Sequence, residues 1–479
     1  MAVIGAGPAG IYAADILSKA GVDVSIDIIE HLPAPFGLVR YGVAPDHPRI
    51  KAIITALRKV LEKGQVRLLA NVRFGTDLTL ADIRRYYDAV IFATGTIEDA
   101  PMELPGQDLP GNFGAADFVS WFDGHPDVPR TWPLEAQHIA VLGAGNVALD
   151  VARMLAKHPK DLLTTEIPDN VYQGLAASPV TDVHVFARRG PAQAKFSPLE
   201  LRELGHVPDV DVLVYPEDFE FDEGSQFAID THNQTKQVVK TLTDWAMVDP
   251  QSLSASRRIH LHFLQQPVEV VGEGQVQLLR TERTALLGDQ SVAGTGQFHE
   301  WPVQAVYRAV GYFGSPLPDV PFDADRGVIP NAGGRVLSAD GSQLPGMYTT
   351  GWIKRGPVGL IGSTKSDAQE TVRHLLEDLL GDAVTSTDGA DAGLDPAGAQ
   401  SAGSPCAGLS PADAVDASPD AVLAYLQAQG VDVIQWEHFE LVDIYERQCG
   451  EAQGRERIKL VPRQDMIDIA LGQGGVPQP

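Results

Sequence analysis

The chain has 479 residues, of which 44% are apolar and 21% charged, so about two or three globular domains are expected. Its 37 basic and 63 acidic residues give a formal net charge of −26, which disfavours nucleic-acid binding. Two cysteines, Cys406 and Cys449, are too few for a disulfide framework or an iron–sulfur cluster, and a reducing cytoplasm is the expected location. No apolar run reaches the ~18 residues of a membrane-spanning helix, and no signal peptide is expected.

Residues 1–30 predict one βαβ unit. A short apolar strand at residues 2–4 leads into the loop Gly5-Ala6-Gly7-Pro8-Ala9-Gly10, and residues 11–20 have the apolar spacing of a helix. In such a loop the first glycine permits a tight turn, the second lets a pyrophosphate approach, and the third lets the helix pack on the strand. Glu30 ends the next apolar run, about twenty residues on, where a carboxylate binds ribose hydroxyls. The pattern predicts a dinucleotide site; the alternative is a turn that binds nothing.

A second unit of this kind begins at residue 138. The strand at residues 138–142 is followed by the loop Gly143-Ala144-Gly145-Asn146-Val147-Ala148 and a helix, and the strand at residues 182–187 ends on two arginines. Arg188 and Arg189 stand where the first unit has Glu30. Because guanidinium groups pair with phosphate, this site is predicted to bind NADP rather than NAD. The alternative is that the two arginines are only a solvated strand end.

The remaining landmarks lie further along the chain. Residues 87–96 predict a buried strand with a tight turn, and residues 346–367 precede a helix that runs to about Leu380. Residues 381–417 have the composition of an acidic linker rich in Ala, Gly and Pro. Beyond it, Ser418 and Pro419 begin a helix that stops at Gly430, and two amphipathic helices are predicted at residues 436–449 and 464–472.

Two dinucleotide loops in one chain predict a flavoprotein that holds FAD at the first loop and NADP at the second. With these cofactors a hydride passes from nicotinamide to flavin, which can release electrons singly. The chain has no C-x-x-C pair, which disfavours disulfide-reductase chemistry. Four segments resemble the adrenodoxin-reductase type of ferredoxin–NADP reductase: residues 35–47 (PFGLVRYGVAPDH), 143–153 (GAGNVALDVAR), 188–204 (RRGPAQAKFSPLELREL) and 351–362 (GWIKRGPVGLIG). The resemblance covers about residues 1–380, and the tail is similar to the extension of actinobacterial members.

The resemblance implies an α/β flavoprotein with two dinucleotide-binding domains and the architecture of glutathione reductase. The FAD-binding domain is expected to comprise residues 1–104 and 321–380, with the NADP-binding domain, residues 105–320, inserted into it. The linker would span residues 381–417 and a small helical C-terminal extension residues 418–479. Because a chain of Ala, Gly, Ser and Asp makes few contacts, we expect that removal of residues 382–479 leaves FAD binding intact.

The same resemblance implies roles for individual residues. The FAD contacts would be Gly5, Gly7, Ala9, Gly10, Glu30, Leu38, Phe74, Trp352, Gly359, Leu360 and Ile361. The NADP contacts would be Gly143, Ala144, Gly145, Asn146, Val147, Arg188, Arg189 and Glu200. His47 and Glu203 would form a catalytic pair near the contact of nicotinamide and flavin, where an imidazole can handle a proton. Three of these residues have an alternative, purely structural role: Trp352 as a core aromatic, His47 as a turn residue, and Glu200 as half of a capping box with Ser197.

The implied activity is that of an NADPH-dependent reductase which passes electrons from FAD to a separate ferredoxin-type iron–sulfur protein. An acidic ferredoxin would need a local positive patch, for which the candidates are Arg40, Arg202, Lys354 and Arg355. Two alternatives stay open: the electron-supplying subunit of a glutamate-synthase-like complex, and a non-enzymatic FAD-binding interaction protein. No metal site is predicted, and the sequence does not indicate the oligomeric state.

Overall fold

The computed structural model describes residues 1–359, 361–381 and 418–473. Leu360, residues 382–417 of the predicted linker and residues 474–479 lie outside the described residues. The strands, in chain order, are β1 (Ala2–Ile4), β2 (Asp27–Glu30), β3 (Arg67–Ala70), β4 (Val90–Phe92), β5 (Glu98–Asp99), β6 (Asn112–Gly114), β7 (His138–Leu142), β8 (Asp182–Phe186), β9 (Val210–Val214), β10 (Arg257–His262), β11 (Gln265–Val271), β12 (Leu278–Leu286), β13 (Val292–Pro302), β14 (Ala305–Arg308), β15 (Tyr312–Phe313), β16 (Asn331–Ala332), β17 (Arg335–Leu337) and β18 (Gln343–Thr349).

The helices are distributed between these strands and the tail. In chain order they are α1 (Pro8–Ser18), α2 (Leu38–Tyr41), α3 (Pro48–Lys51), α4 (Ile53–Leu61), α5 (Leu80–Tyr86), α6 (Ala115–Phe122), α7 (Asn146–Ala156), α8 (Asp169–Ala177), α9 (Pro198–Leu204), α10 (Glu223–Thr231), α11 (Asn233–Ala246), α12 (Trp352–Arg355), α13 (Ile361–Leu380), α14 (Ala421–Ala428), α15 (Trp436–Ala452) and α16 (Arg463–Ala470). Among the helices of the described ranges, none is long and apolar enough to cross a membrane.

The first sheet carries the N-terminal glycine loop. Its seven strands run in the order β16-β17-β18-β4-β1-β2-β3, parallel from β18 to β3. Alternate residues of β1 face opposite cores, Val3 one of them and Ala2 and Ile4 the other, because the sheet is covered on both sides. Helices α1 and α13 pack against each other on the Val3 side.

The second sheet is wholly parallel, in the order β6-β14-β7-β8-β10-β9. One face packs against α7, α9 and α11, and the other against the antiparallel sheet β11-β12-β13. The short strands β5 and β15 pair with each other in a separate, antiparallel two-stranded sheet. Parallel sheets with covered faces are what repeated βαβ units produce.

The predicted elements around the two glycine loops are largely present. Strand β7 has the predicted bounds, and β1 and β8 agree to within a residue. Strand β2 is shorter than the apolar run suggested. The register pairs Ala2 with Asp27, so the residues before Asp27 have no partner in β1. The boundaries proposed for the domains stay predictions.

The C-terminal helices overturn the expectation that the tail makes few contacts. Ile434 and Ala70 exchange backbone hydrogen bonds of 2.8 and 2.9 Å at the edge of the first sheet. Trp436 and Phe439 of α15 join the apolar core that contains Phe36. The residues with linker-like composition end before these helices. An amphipathic helix must bury its apolar face against another part of the protein. Residues 418–473 are therefore part of the same packed body as residues 1–70.

Candidate functional site

The first glycine loop has the geometry of a phosphate-binding turn. Gly5 has φ +109°, and a Cβ there would lie 2.6 Å from the carbonyl oxygen of Ala93. A Cβ on Gly10 would lie 2.0 Å from the carbonyl oxygen of Gly5, so only glycine allows α1 to approach β1 this closely. Helix α1 begins after Gly7 without a side-chain cap. Its N-terminus is thus available to an anionic group such as a pyrophosphate.

Glu30 lies where the sequence spacing predicted, against this loop. Its carboxylate is buried and accepts the N–H groups of Ala6 at 2.8 Å and Leu32 at 3.0 Å. Burial alone would raise the pKa of Glu30, but His31 and these two N–H donors hold it below its usual value. A charged carboxylate beside the loop is what a ribose of FAD requires.

The other residues assigned to FAD lie in several separate segments of the chain. Gly351 has φ +78°, and a Cβ there would lie 2.6 Å from Cβ of Ala9, so the turn before Trp352 touches the glycine loop. The Trp352 ring is half-buried and stacks on Tyr312 at 6.1 Å. The Phe74 ring instead lies in the core, edge-on to Phe92. Leu38 begins α2, Gly359 is exposed in front of α13, Ile361 is the first residue of α13, and Leu360 lies outside the described residues.

The second glycine loop repeats this arrangement on the second sheet. Gly143 has φ +153°, and a Cβ there would lie 2.2 Å from the carbonyl oxygen of Ala309. Helix α7 begins after Gly145, again without a side-chain cap. The loop residues Ala144, Gly145, Asn146 and Val147 are all half-buried. The loop offers a second helix N-terminus to a phosphate.

Arg188 and Arg189 follow β8 at the expected end of the second site. Within the described part of the chain, neither guanidinium has a carboxylate partner. Burial, and then the charge of Arg188, lower the pKa of Arg189. Two adjacent cations without a carboxylate, in a chain of net charge −26, fit a bound phosphate such as the 2′-phosphate of NADP.

A charged cluster lies between the two sites, with His47 at its centre. The imidazole is 4% exposed; its Nε2 is 2.9 Å from Asp150 and 3.0 Å from Glu200, and its Nδ1 is 3.1 Å from Glu203. Burial would lower the pKa of His47, but hydrogen bonds to Asp150 and Glu200 outweigh it and raise the pKa to about 10. The Arg153 guanidinium, 2.5 Å from Nε2, opposes this rise. His47 joins the segment before α3 to helices α7 and α9, and the structure does bring His47 and Glu203 together.

Further ion pairs extend this cluster. Arg153 of α7 binds Asp46 at 3.0 Å and Asp150 at 2.8 Å, and Lys157 binds Asp46 at 2.9 Å. Burial would raise the pKa of Asp46, yet Arg153 and Lys157 hold it far below its usual value. Burial raises the pKa of Glu203, which is part-exposed. Asp150 and Arg153 were not identified from the sequence, although both lie in the segment 143–153 that carries the family resemblance.

The predicted capping box of α9 is only half present. The Ser197 hydroxyl accepts the N–H of Glu200 at 3.2 Å, as predicted. The Glu200 carboxylate, however, turns to His47 instead of returning to the N–H of Ser197, which donates to Asn146 at 2.8 Å. Helix capping therefore does not account for the position of the Glu200 carboxylate.

Three of the four residues expected to form a positive patch for a ferredoxin have carboxylate partners within the molecule. Arg40 is buried and paired with Glu446. Lys354 is buried and lies 3.1 Å from Asp367, which Arg355 also contacts at 2.8 Å. These charges are neutralised within the molecule, whereas Arg202 is exposed and stays a prediction.

Comparisons with known proteins agree with this geometry. Residues 1–189 match the family model described as pyridine nucleotide-disulphide oxidoreductase. The chain is 38% identical to the NADPH-ferredoxin reductase FprA of Mycobacterium tuberculosis, with 98% of this chain and 99% of the relative covered. It is 35% identical to the human mitochondrial NADPH:adrenodoxin oxidoreductase, with 98% and 91% covered. It is also similar to the structure of the mycobacterial FprA in complex with NADPH, with TM-score 0.84, 37% identity and 98% and 99% covered.

Identity at this level over nearly the whole of both chains decides the relationship, because the glycine loops, the helical tail and the segments between them are all included. The chain belongs to the family of NADPH-ferredoxin reductases and NADPH:adrenodoxin oxidoreductases.

Proposed function

We propose that this protein is an NADPH:ferredoxin reductase, which oxidises NADPH and passes single electrons to a ferredoxin-type iron–sulfur protein. The observation that supports the proposal is the charged cluster around His47, because its ion pairs join the segment before α3, in the part of the chain that carries the first loop, to α7, which begins at the second loop. The relatives named as reductases of ferredoxin and adrenodoxin supply the acceptor class. With only two cysteines, the chain cannot hold a cluster of its own, so the acceptor is a separate molecule. The cytoplasm stays the predicted location.

The residues around the first loop suit FAD. Gly5 permits the tight turn, Gly10 lets α1 pack on β1, and Gly7 and Ala9, at the start of α1, are proposed to face the pyrophosphate. Glu30 is proposed to present its carboxylate to a ribose. Bound FAD would accept a hydride from NADPH and release electrons one at a time. Leu38, Phe74, Trp352, Gly359, Leu360 and Ile361 are proposed to line the flavin portion of the site.

The residues around the second loop suit NADPH. Gly143, Ala144, Gly145, Asn146 and Val147 form the turn at the start of α7. Arg188 and Arg189 are proposed to bind the 2′-phosphate, and they would discriminate against NADH. Glu200 is proposed to border this site, through its contact with His47.

His47 and Glu203 are proposed as the catalytic pair. His47 holds a proton that three carboxylates stabilise, and Glu203 is the most exposed of those carboxylates. A hydride passes directly between the cofactors and needs no side-chain acid or base. The pair is therefore expected to position the cofactors and to adjust the local charge.

The deciding experiment measures NADPH-dependent reduction of a cytochrome with the purified protein, with and without added ferredoxins. Stimulation by a ferredoxin supports the proposal. Rapid bleaching of the flavin by NADPH without any such stimulation would indicate an electron-supplying subunit of a larger complex. A flavin that NADPH does not bleach would indicate a non-enzymatic FAD-binding protein.

A further inference from the structure

The segment between β8 and α9 runs alongside the second glycine loop and is attached to it at two points. The backbone N–H of Lys195 donates to the carbonyl oxygen of Ala144 at 2.8 Å. The backbone N–H of Ser197 donates to Oδ1 of Asn146 at 2.8 Å. These two hydrogen bonds hold the backbone around Lys195 against the turn that begins α7.

Lys195 is paired with the second glycine of that loop. Gly145 and Lys195 form a parallel β-bridge. Residues that are paired in such a bridge direct their side chains to the same side of the backbone. A Cβ on Gly145 would meet nothing within 4 Å, so this side of the loop is open. The exposed side chain of Lys195 therefore starts beside the open side of Gly145.

The open side of Gly145 is where the pyrophosphate of a dinucleotide would lie. In a loop of this type the second glycine lacks a side chain so that a pyrophosphate can approach the backbone. Helix α7 begins at the next residue, and its first N–H groups have no side-chain cap. An ammonium group on a flexible stem at this place can act as a point charge on either phosphate of the pyrophosphate.

The surrounding charges leave Lys195 available for a ligand. Within the described ranges, Lys195, Arg188 and Arg189 have no carboxylate partner. Lys157, which follows α7, is by contrast paired with Asp46 at 2.9 Å. Three cations without a carboxylate within residues 188–195, in a chain of net charge −26, suit a ligand that carries phosphate groups at two places.

On the basis of the proposed function, we propose that Lys195 binds the pyrophosphate of NADPH, apart from the two arginines proposed for its 2′-phosphate. Because NADH has the same pyrophosphate, Lys195 would strengthen the binding of both coenzymes equally, whereas the arginines would discriminate between them. The pyrophosphate does not change during hydride transfer. Loss of this contact should therefore raise KM and leave kcat unchanged.

The test compares ligands that carry one or both kinds of phosphate. Dissociation constants for NADP⁺ and for 2′-AMP, which has the 2′-phosphate but no pyrophosphate, are measured by calorimetry with the FAD-bound protein. Lys195→Gln should weaken NADP⁺ binding by about tenfold, the lower end for a charge-assisted contact, because the side chain is exposed. It should leave 2′-AMP binding unchanged, whereas replacing Arg188 and Arg189 with alanine should weaken the binding of both ligands.

Steady-state kinetics supply a second readout. Lys195→Gln should raise the KM for NADPH and for NADH by the same factor, with kcat and the flavin spectrum as in the wild type. Lys195→Arg, which keeps the charge, should restore most of the affinity for NADP⁺. Lys236→Gln, at an exposed lysine of α11, is the matched control and should behave like the wild type.

The outcomes separate this inference from the function on which it rests. NADP⁺ binding that Lys195→Gln leaves unchanged would overturn the pyrophosphate contact, even though NADPH still bleaches the flavin. Equal losses of affinity for 2′-AMP and NADP⁺ would also overturn it, because Lys195 would then act at the 2′-phosphate or through the fold. A wild-type protein whose flavin NADPH does not bleach would instead refute the proposed reductase.

Discussion

Single residues of the charged cluster depend on charges from distant parts of the chain. His47 and Asp150 are 103 residues apart and lie 2.9 Å from each other. The imidazole has three carboxylate neighbours, and their negative charges favour its protonated form. A buried charge is tolerated only with such partners. The protonation of His47 is therefore linked to how the segment before α3 docks on α7 and α9.

This linkage predicts a pH dependence of stability. The pKa of His47 is raised from 6.5 to about 10, so its charge contributes fully to folding stability below pH 6.5. The contribution falls as the pH rises and is lost above about pH 10. We expect the difference in thermal unfolding midpoint between wild type and His47→Gln to shrink steadily from pH 6.5 to pH 10. A difference that is constant over this range would mean that His47 is neutral.

The same variant separates binding from catalysis. His47→Gln should keep its FAD, because His47 contacts carboxylates and not the first glycine loop. Flavin reduction by NADPH, followed by stopped-flow absorbance, should slow modestly, since direct hydride transfer depends mainly on positioning. A rate equal to that of the wild type at every pH would remove His47 from the catalytic pair.

Cofactor choice is expected to depend on Arg188 and Arg189. Replacing both with alanine should raise the KM for NADPH by about ten- to a hundredfold, since the loss of a charge-assisted contact costs ~1.5–3 kcal/mol. The KM for NADH should hardly change. Arg130→Ala, at an exposed arginine elsewhere, is the control. Equal losses for both cofactors would contradict the assignment of the 2′-phosphate.

At the residue level, the sequence predicted what depends on neighbours along the chain. Gly5, Gly10 and Glu30 belong to one short motif, and the motif predicted the tight turn at Gly5, the close packing at Gly10 and the position of Glu30 beside the loop. Glu200 shows the limit, because its spacing from Ser197 satisfies a capping box while its carboxylate binds a cation from a remote segment. Asp150 and Arg153 were missed for the same reason. A helical pattern in the sequence does not reveal which charged side chains from other segments will pack against that helix.

At the level of elements, α15 supports the segment that leads to the first site. Phe36 has φ +85°, an uncommon conformation for a residue other than glycine, and it precedes the predicted FAD contact Leu38. The rings of Trp436 and Phe439 pack edge-on to Phe36 at 6.4 and 5.9 Å. The sequence predicted this helix but not its partner, because the acidic linker in front of it suggested a separate unit.

This packing predicts that α15 affects FAD binding. Phe439 is 1% exposed, and Phe439→Ala should lower the free energy of unfolding by ~3–5 kcal/mol because it leaves a cavity. The loss of support for Phe36 should also reduce the amount of FAD that copurifies, measured as the ratio of flavin to protein absorbance. Leu441→Ala on the exposed side of the same helix should change neither quantity. Normal flavin content in the Phe439 variant would show that α15 does not support the site.

At the scale of the whole molecule, buried ion pairs join the tail to both large parts of the chain. Glu446 and Arg40 form a pair that is almost inaccessible to solvent. Lys459 lies 2.8 Å from Glu166, which Lys51 also contacts at 2.6 Å. Burial would raise the pKa of Glu166, but Lys459 and Lys51 together hold it far below its usual value. Each of these charges depends on a partner that is distant in sequence.

Removal of the tail therefore has a predicted outcome opposite to that expected from composition. Without residues 382–479, Arg40 loses Glu446, and breaking one such buried pair costs ~3–5 kcal/mol. We expect residues 1–381 alone to be insoluble or free of flavin. Coexpression of residues 418–479 as a separate chain should restore the yellow protein, because the described contacts of the tail come from residues 418–473. The same separate chain carrying Glu446→Ala should fail to restore it, whereas one carrying Leu441→Ala should succeed. A yellow and stable protein from residues 1–381 alone would show that the tail packs on the fold without supporting it.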